Sequence, residues 1–198
     1  MCIIFPLAFF IARTGAYKRL TPHVPTGSLI SFPIISSILL QTVIAFGFQF
    51  GSWYYLAQQS WYENTCTNEG ATIGTCQDNT VIYLVSNMQY LITVFAFSVS
   101  KPFRKPLYTN VLLTLFMIIA FAYSVHIIVI PDRISRKILQ IYDFRNVNND
   151  DAKYFKLYLL GFTLGNFCVS YITESVLIPA MTKCYSTANC KIEKFSKK

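Results

Sequence analysis

Charge is what this sequence has least of. Asp, Glu, Lys and Arg make up 13% of its 198 residues, against roughly 25% in an average soluble domain. So large a deficit excludes an ordinary water-facing surface. Histidine is nearly missing, with two residues, and no Cys/His spacing resembles a zinc site, so no metal ligands are assigned. The eight glycines form no phosphate-cradling loop. No nucleophile–base arrangement and no paired carboxylates stand in a plausible catalytic setting. Together these absences argue against an autonomous enzyme. Basic residues are lacking from one whole loop, Gln58–Asn79, which holds Glu63, Glu69 and Asp78 and no Lys or Arg.

What is present is apolar sequence, 54% of the chain, in runs long enough to cross a hydrocarbon core of ~30 Å. The runs predict an all-α integral membrane bundle with spans at 28–57, 80–100, 108–130 and 155–182. An additional apolar stretch, Met1–Ala12, ends at Arg13. Twelve helical residues rise only ~18 Å, too little to span the core, and no basic flank precedes them as a signal peptide requires. Residues 1–14 are therefore expected to be the C-terminal half of a spanning helix that begins upstream.

The net charge of +8 is placed for a membrane and not for nucleic acid. Arg13, Lys18 and Arg19 follow the first run; Lys101, Arg104 and Lys105 fill the 101–107 turn; five lysines crowd the 183–198 tail. Basic loops alternate with the base-free 58–79 loop, which is the positive-inside pattern. The basic segments are thus expected in the cytosol, and the 58–79 and 131–154 loops outside or in a lumen. The last of these breaks the pattern with Arg133, Arg136, Lys137, Arg145 and Lys153, nearly balanced by Asp132, Asp143, Asp150 and Asp151.

Six cysteines divide by compartment. Cys66 and Cys76 share the external loop, where oxidation is permitted, and are either bridged or two free thiols. Cys184 and Cys190 lie in the basic tail. Cys2 and Cys168 are small apolar residues within spans.

Polar residues inside the spans are the candidate functional groups. In the first full span Ser37, Gln41, Ala45, Gln49 and Ser52 gather on one side of a helical wheel, and Gly47 and Gly51 have the spacing that lets a neighbouring helix approach. The 80–100 span carries Asn87 and Gln89, costly in hydrocarbon unless bonded. The 155–182 span gathers Thr163, Asn166, Ser170 and Glu174, with Gly161 and Gly165 on roughly the opposite side. Two uses fit Gln41, Gln49, Asn87, Gln89, Asn166 and Glu174. They lock helices together, or they line a substrate or ion path.

Several ordered motifs carry a family resemblance. They are PTGSLIS (Pro25–Ser31), QQSWY (Gln58–Tyr62), DNTVIYLVSNMQY (Asp78–Tyr90) and FSVSKPFRKPLYTN (Phe97–Asn110). Their order and spacing resemble the C-terminal membrane region of the type V, subgroup B, P-type ATPases, the polyamine-transporter-like pumps of endosomal and lysosomal membranes. Departures are local. Val24 stands for a common arginine, Ser60 for a usual proline and Ser100 for a common glycine. The resemblance implies half of transmembrane helix 6 followed by helices 7–10. It also implies upstream transmembrane helices and cytosolic ATPase domains in the same chain, phosphorylated by ATP with Mg2+ on an aspartate in a DKTG motif. No DKTG occurs in this chain, so the implied role is a support region for an ATP-driven transporter of polyamines or other cations, in a late endosomal or lysosomal membrane. No cofactor is expected on these residues. Two rival readings are a stand-alone four-span adaptor of tetraspan type and a small carrier or channel.

Overall fold

A computed structural model describes residues 4–15, 31–62, 76–98, 107–142, 144, 150–185 and 187, with backbone alone at 150–153. The elements are α1 (Ile4–Ala12), α2 (Phe32–Ala57), α3 (Gln77–Phe97), a 3-10 turn (Leu107–Thr109), α4 (Val111–Val129), α5 (Arg133–Leu139) and α6 (Asp150–Ile172). A π-helical segment, Thr173–Leu177, continues α6. Among the described residues four helical stretches are long and apolar enough to cross a membrane: α2, α3, α4 and Tyr154–Tyr185. The chain is therefore an all-α, multi-pass membrane bundle. At 1.5 Å per residue the 26 residues of α2 rise ~39 Å, enough to cross with a tilt. Pro33 sits in its first turn, where the missing N–H has no helical partner to lose.

Successive long helices run antiparallel, and α3 packs against α2, α4 and α6, parallel to the last. We call the end holding the start of α2 and α4 proximal, and the end holding the start of α3 and α6 distal. Side chains are sorted as lipid solvation requires: Val43, Phe46, Leu115 and Ile118 point outward, 53–69% exposed. Val81, Leu84, Val85 and Met88 of α3 are buried in a distal core with Leu56, Ile127, Phe155 and Leu159. A smaller proximal cluster joins Leu7 of α1, Leu91 of α3, and Leu113 and Ala120 of α4.

Two local devices set the packing. Asn110 caps α4 by accepting from the Leu113 N–H at 3.2 Å. Its amide nitrogen simultaneously donates to the Phe10 carbonyl at 2.8 Å and the Thr14 hydroxyl at 3.1 Å. One side chain thus satisfies a helix N-terminus and fastens the end of α1 to it. The second device is reciprocal. Phe162 of α6 lies over Gly51 of α2, and Phe48 of α2 lies over Gly165 of α6. The two rings meet edge to face at 4.9 Å. Gly165 therefore faces α2, the helix that the α6 polar residues also address, and does not lie opposite them. Gly47 and Gly161 meet nothing within 4 Å, so only one glycine of each pair admits a neighbour.

The 131–154 stretch, read from sequence as a loop, contains α5. Asp132 caps it, accepting from the Ser135 N–H at 3.2 Å, and Gln140 ends it in the left-handed conformation at φ 52°. Farther on, Thr80 accepts from the Tyr142 N–H at 2.8 Å, and Phe144 enters the distal core.

A Cβ on Gly51 would stand 2.8 Å from Phe162 Cζ, and Phe48 and Tyr158 hold that ring on both sides. Gly51→Ala is expected to destabilise the bundle by about 1–3 kcal/mol through overpacking, while Gly47→Ala leaves it unchanged or slightly firmer. Thermal unfolding of the two variants in detergent checks this, and equal shifts would contradict the interlock.

Hydrogen bonding from Ser135 holds the Asp132 carboxyl below its ordinary pKa. Its capping contribution is therefore complete above the unfolded carboxylate value of about 4. It disappears as pH falls through the lowered one. Amide exchange in α5 should stay slow down to about pH 4 and quicken below it; protection independent of pH over that range would remove Asp132 from the cap.

Candidate functional site

The polar residues of the spans collect around α2, on two of its sides. Toward α6, Ser37 donates its hydroxyl to Glu174 Oε2 at 2.7 Å. One turn on, Gln41 donates its amide to the Ser170 carbonyl at 3.0 Å. Ser170 in turn donates to Asn166 Oδ1 at 3.2 Å. Ser37, Gln41, Asn166 and Ser170 are all buried, at 2–7% exposure, and Glu174 is half-buried. Glu174 lies in the π-helical segment, a local widening of the kind that recurs at sites where a helix must present a group off the regular ladder. Among the described residues no basic side chain pairs with it.

Toward α3 the contacts belong to the middle and distal parts of α2. Gln89 donates to the Ala45 carbonyl at 2.9 Å, and Gln49 donates to the Ile82 carbonyl at 3.0 Å. Ser86 approaches Gln49 Oε1 at 3.5 Å, at the limit of a bond. The helices thus exchange amides in both directions, α2 to α3 and α3 to α2.

Of the six residues expected on a path, Gln41, Asn166 and Glu174 come together between α2 and α6. Gln49 and Gln89 come together between α2 and α3. Asn87 joins neither group. It is half-buried, sits between Leu84 and Leu91 on the α3 face that meets α4, and makes no hydrogen bond among the described residues. One set joins α2 to α6 and the other joins α2 to α3. Each amide donor other than Asn87 and Asn166 is taken up by a neighbouring helix's carbonyl.

The distal end holds a second polar group. Asp78 accepts from Trp53 Nε1 at 3.0 Å and from the Tyr62 hydroxyl at 2.9 and 3.0 Å. Burial, and then the carboxylate of Asp78, raise the Tyr62 phenol above its usual pKa, so it remains a donor. Beside this lies an aromatic stack of Tyr55 on Tyr158 at 3.8 Å, with Trp61 and Phe144 edge-on at 5.8 Å. In sequence, Trp53, Tyr54, Tyr55, Trp61 and Tyr62 form an aromatic belt of the kind found at a membrane interface. The anchoring of Trp53 and Tyr62 on Asp78 was legible only as an acidic residue inside the DNTVIYLVSNMQY motif.

Cys76 is disulfide-bonded, and Cys66, its expected partner, lies outside the described residues. Lys101, Arg104 and Lys105 also lie outside them. No group of three or more His, Cys, Asp or Glu side chains suited to a metal occurs among the described residues. Chemically, then, the described side chains offer amide and hydroxyl bonds, one carboxylate between α2 and α6, and two carboxylates at the distal end, Asp78 and the α5 cap Asp132. Asn110 was missed by sequence reasoning, although an asparagine directly before an apolar run is a helix-start signal.

In hydrocarbon, an interhelical polar bond averages about 0.6 kcal/mol, with a maximum near 1.7. Gln41→Leu, Gln49→Leu and Gln89→Leu should each lower bundle stability by about that amount. Glu174→Gln keeps an acceptor for Ser37 and should cost less than Ser37→Ala. Unfolding of the variants in mild detergent and denaturant checks the ranking; leucine variants as stable as the parent would show that these bonds do not hold the helices.

No protein-family model matches the chain. Over 185 residues, 93% of its length, it is 32% identical to the polyamine-transporting ATPase 13A2 of Homo sapiens, covering 15% of that protein. It is 29% identical over 163 residues to the polyamine-transporting ATPase 13A3 of Homo sapiens, with 71% of this chain and 13% of that protein covered. Over 110 residues it is 30% identical to the vacuolar cation-transporting ATPase YPK9 of Saccharomyces cerevisiae, covering 56% of this chain and 7% of that protein. The chain spans about one seventh of the length of the first of these relatives.

Proposed function

This chain is a homologue of the type V P-type ATPases, and on that footing we propose that its helices are the membrane support of an ATP-driven cation transporter whose cargo class is polyamines. One observation carries the reading. The glutamines that a path would need are already bonded to helix backbone, Gln41 to Ser170, Gln49 to Ile82 and Gln89 to Ala45. A donor bonded to a neighbouring helix's backbone holds each glutamine in one orientation and ties two helices together, which is what a rigid buttress requires.

In this reading α1 is part of the sixth transmembrane helix of the pump. Asn110 and the Leu7–Leu91–Leu113 cluster fasten it to the support. ATP and Mg2+ act on cytosolic domains elsewhere in the same polypeptide, and the principal cation-binding groups also lie outside this chain. The membrane is that of a late endosome or lysosome, with the basic Lys101–Lys105 turn facing the cytosol. Glu174 holds Ser37 and orients the end of α6, and coordinates no cargo.

The test uses the full-length protein. With ATP and Mg2+ it should form an acyl phosphate on an aspartate, and spermine should accelerate its turnover. Gln41→Leu and Gln49→Leu should leave the KM for spermine within about twofold of the parent, whereas loss of a cargo contact changes transition-state binding more steeply. Failure to form a phosphoenzyme would remove the pump. A phosphoenzyme whose spermine KM rises tenfold or more in these variants would keep the pump and place the glutamines in the path.

A further inference from the structure

The most unusual surface outside the interhelical contacts is α5. It has seven residues, Arg133–Leu139, too few to hold helical form without outside support. One side of it is anchored. Ser135 is buried and its hydroxyl lies 3.1 Å from that of Tyr123, and Leu139 packs against the distal core. The other side is not. Ile134 and Ile138 are 68% and 72% exposed, and Arg133 and Lys137 are exposed beside them.

The depth of α5 follows from its contact with Tyr123. That residue precedes the end of α4 at Val129 by six positions, or ~9 Å along the axis. A helix whose first turn bonds to the Tyr123 hydroxyl is folded back over the last turns of α4 instead of projecting past them. It lies beside the distal ends of the spans. The neighbouring exposed residues agree: Val129 and Ile130 at the end of α4 are apolar and outward. Trp53, Tyr54, Trp61, Tyr62 and Tyr154 mark the same distal level as an aromatic belt.

The order of side chains around α5 matches such a boundary. At 100° per residue, Ile134 and Ile138 stand about 40° apart, and Lys137 and Arg133 form the adjoining strip about 60–100° from Ile134. An apolar line beside a basic line is the arrangement of a helix lying in the plane of a membrane surface, its apolar side in the acyl boundary and its cations at the phosphates. Asp132 does not oppose this, because its carboxylate is turned onto the start of the helix and bonded by the Ser135 N–H.

We propose that α5 is a membrane-surface anchor that binds anionic phospholipid, with Ile134 and Ile138 inserted among the acyl chains and Arg133 and Lys137 paired to headgroup phosphates. This accounts for basic residues in a segment where the charge rule expects few. They serve local binding to the leaflet and do not set orientation. It also adds a second support to a seven-residue helix held on one side by Ser135 and Leu139.

The test takes the full-length protein in nanodiscs holding neutral and anionic phospholipids, with a photoreactive benzoylphenylalanine at Ile134 or Ile138. Irradiation should give lipid adducts at both positions. Anionic headgroups should be enriched at least about fivefold over the disc mixture, a value that corresponds to one cation at a charged surface. Arg133→Gln with Lys137→Gln should abolish that enrichment. Adducts to protein would mean another chain or segment covers the face, and would overturn the proposal, as would adducts to neither. Lipid adducts without enrichment would refute anionic recognition. The unsubstituted protein provides an independent reading: α5 amides should exchange severalfold more slowly in anionic than in neutral discs, and equal exchange would contradict the anchor.

Discussion

The bundle depends on α2 being held from two sides by polar bonds made inside hydrocarbon. Gln41 and Ser37 reach α6, and Gln49 and Ala45 meet α3. In a membrane, apolar burial gives helices little reason to prefer each other over lipid tails, because both surroundings are equally apolar. Directional bonds and close packing then decide which faces meet. A glutamine whose donor would be unsatisfied in lipid has one cheap solution, a carbonyl on the next helix. The reciprocal placement of Phe48 over Gly165 and Phe162 over Gly51 completes that contact by shape. Antiparallel register between α2 and α6 is therefore fixed at several depths by two different kinds of force.

Rigidity of this sort suits the proposed role. A transport core that rocks during a catalytic cycle needs a neighbour that does not, and amides bonded from helix to helix hold that neighbour in register. The connection to the rest of such a machine runs through α1, which touches few elements and is tied at its end by Asn110. An asparagine that caps one helix while bonding a late carbonyl and a hydroxyl at the end of another couples α1 directly to α4. The distal end is organised differently. There aromatic rings, anchored on Asp78 and stacked around Tyr55 and Trp61, form a lid of amphipathic side chains at the membrane boundary.

Much of this was legible beforehand. The four spans follow from run length and charge deficit, since nothing except a helix can satisfy its backbone in lipid. Gln41, Gln49, Gln89 and Glu174 stood out because each is costly in hydrocarbon alone, and that cost is what drives them onto partners. Gly51 and Gly165 were visible as small residues. The equivalent-looking Gly47 and Gly161 were not distinguishable from them, because a glycine turned to lipid and one turned to a ring have the same sequence signature. Asn87 was singled out for the same reason as Gln89, yet a shift of two positions puts it on another face.

The sequence by itself determined the four spans, their order and the chemical type of each interior polar group, because these depend on local hydrophobicity, helical period and the absence of charge. Only the tertiary structure decided which helix each polar side chain addresses, which glycine is filled, and that a short helix lies within the 131–154 segment. Those outcomes turn on the rotation and crossing of helices about one another. Periodicity says that a stripe exists, but apolar surface facing lipid and apolar surface facing protein are chemically alike, so no pattern along the chain reports which neighbour comes to meet it.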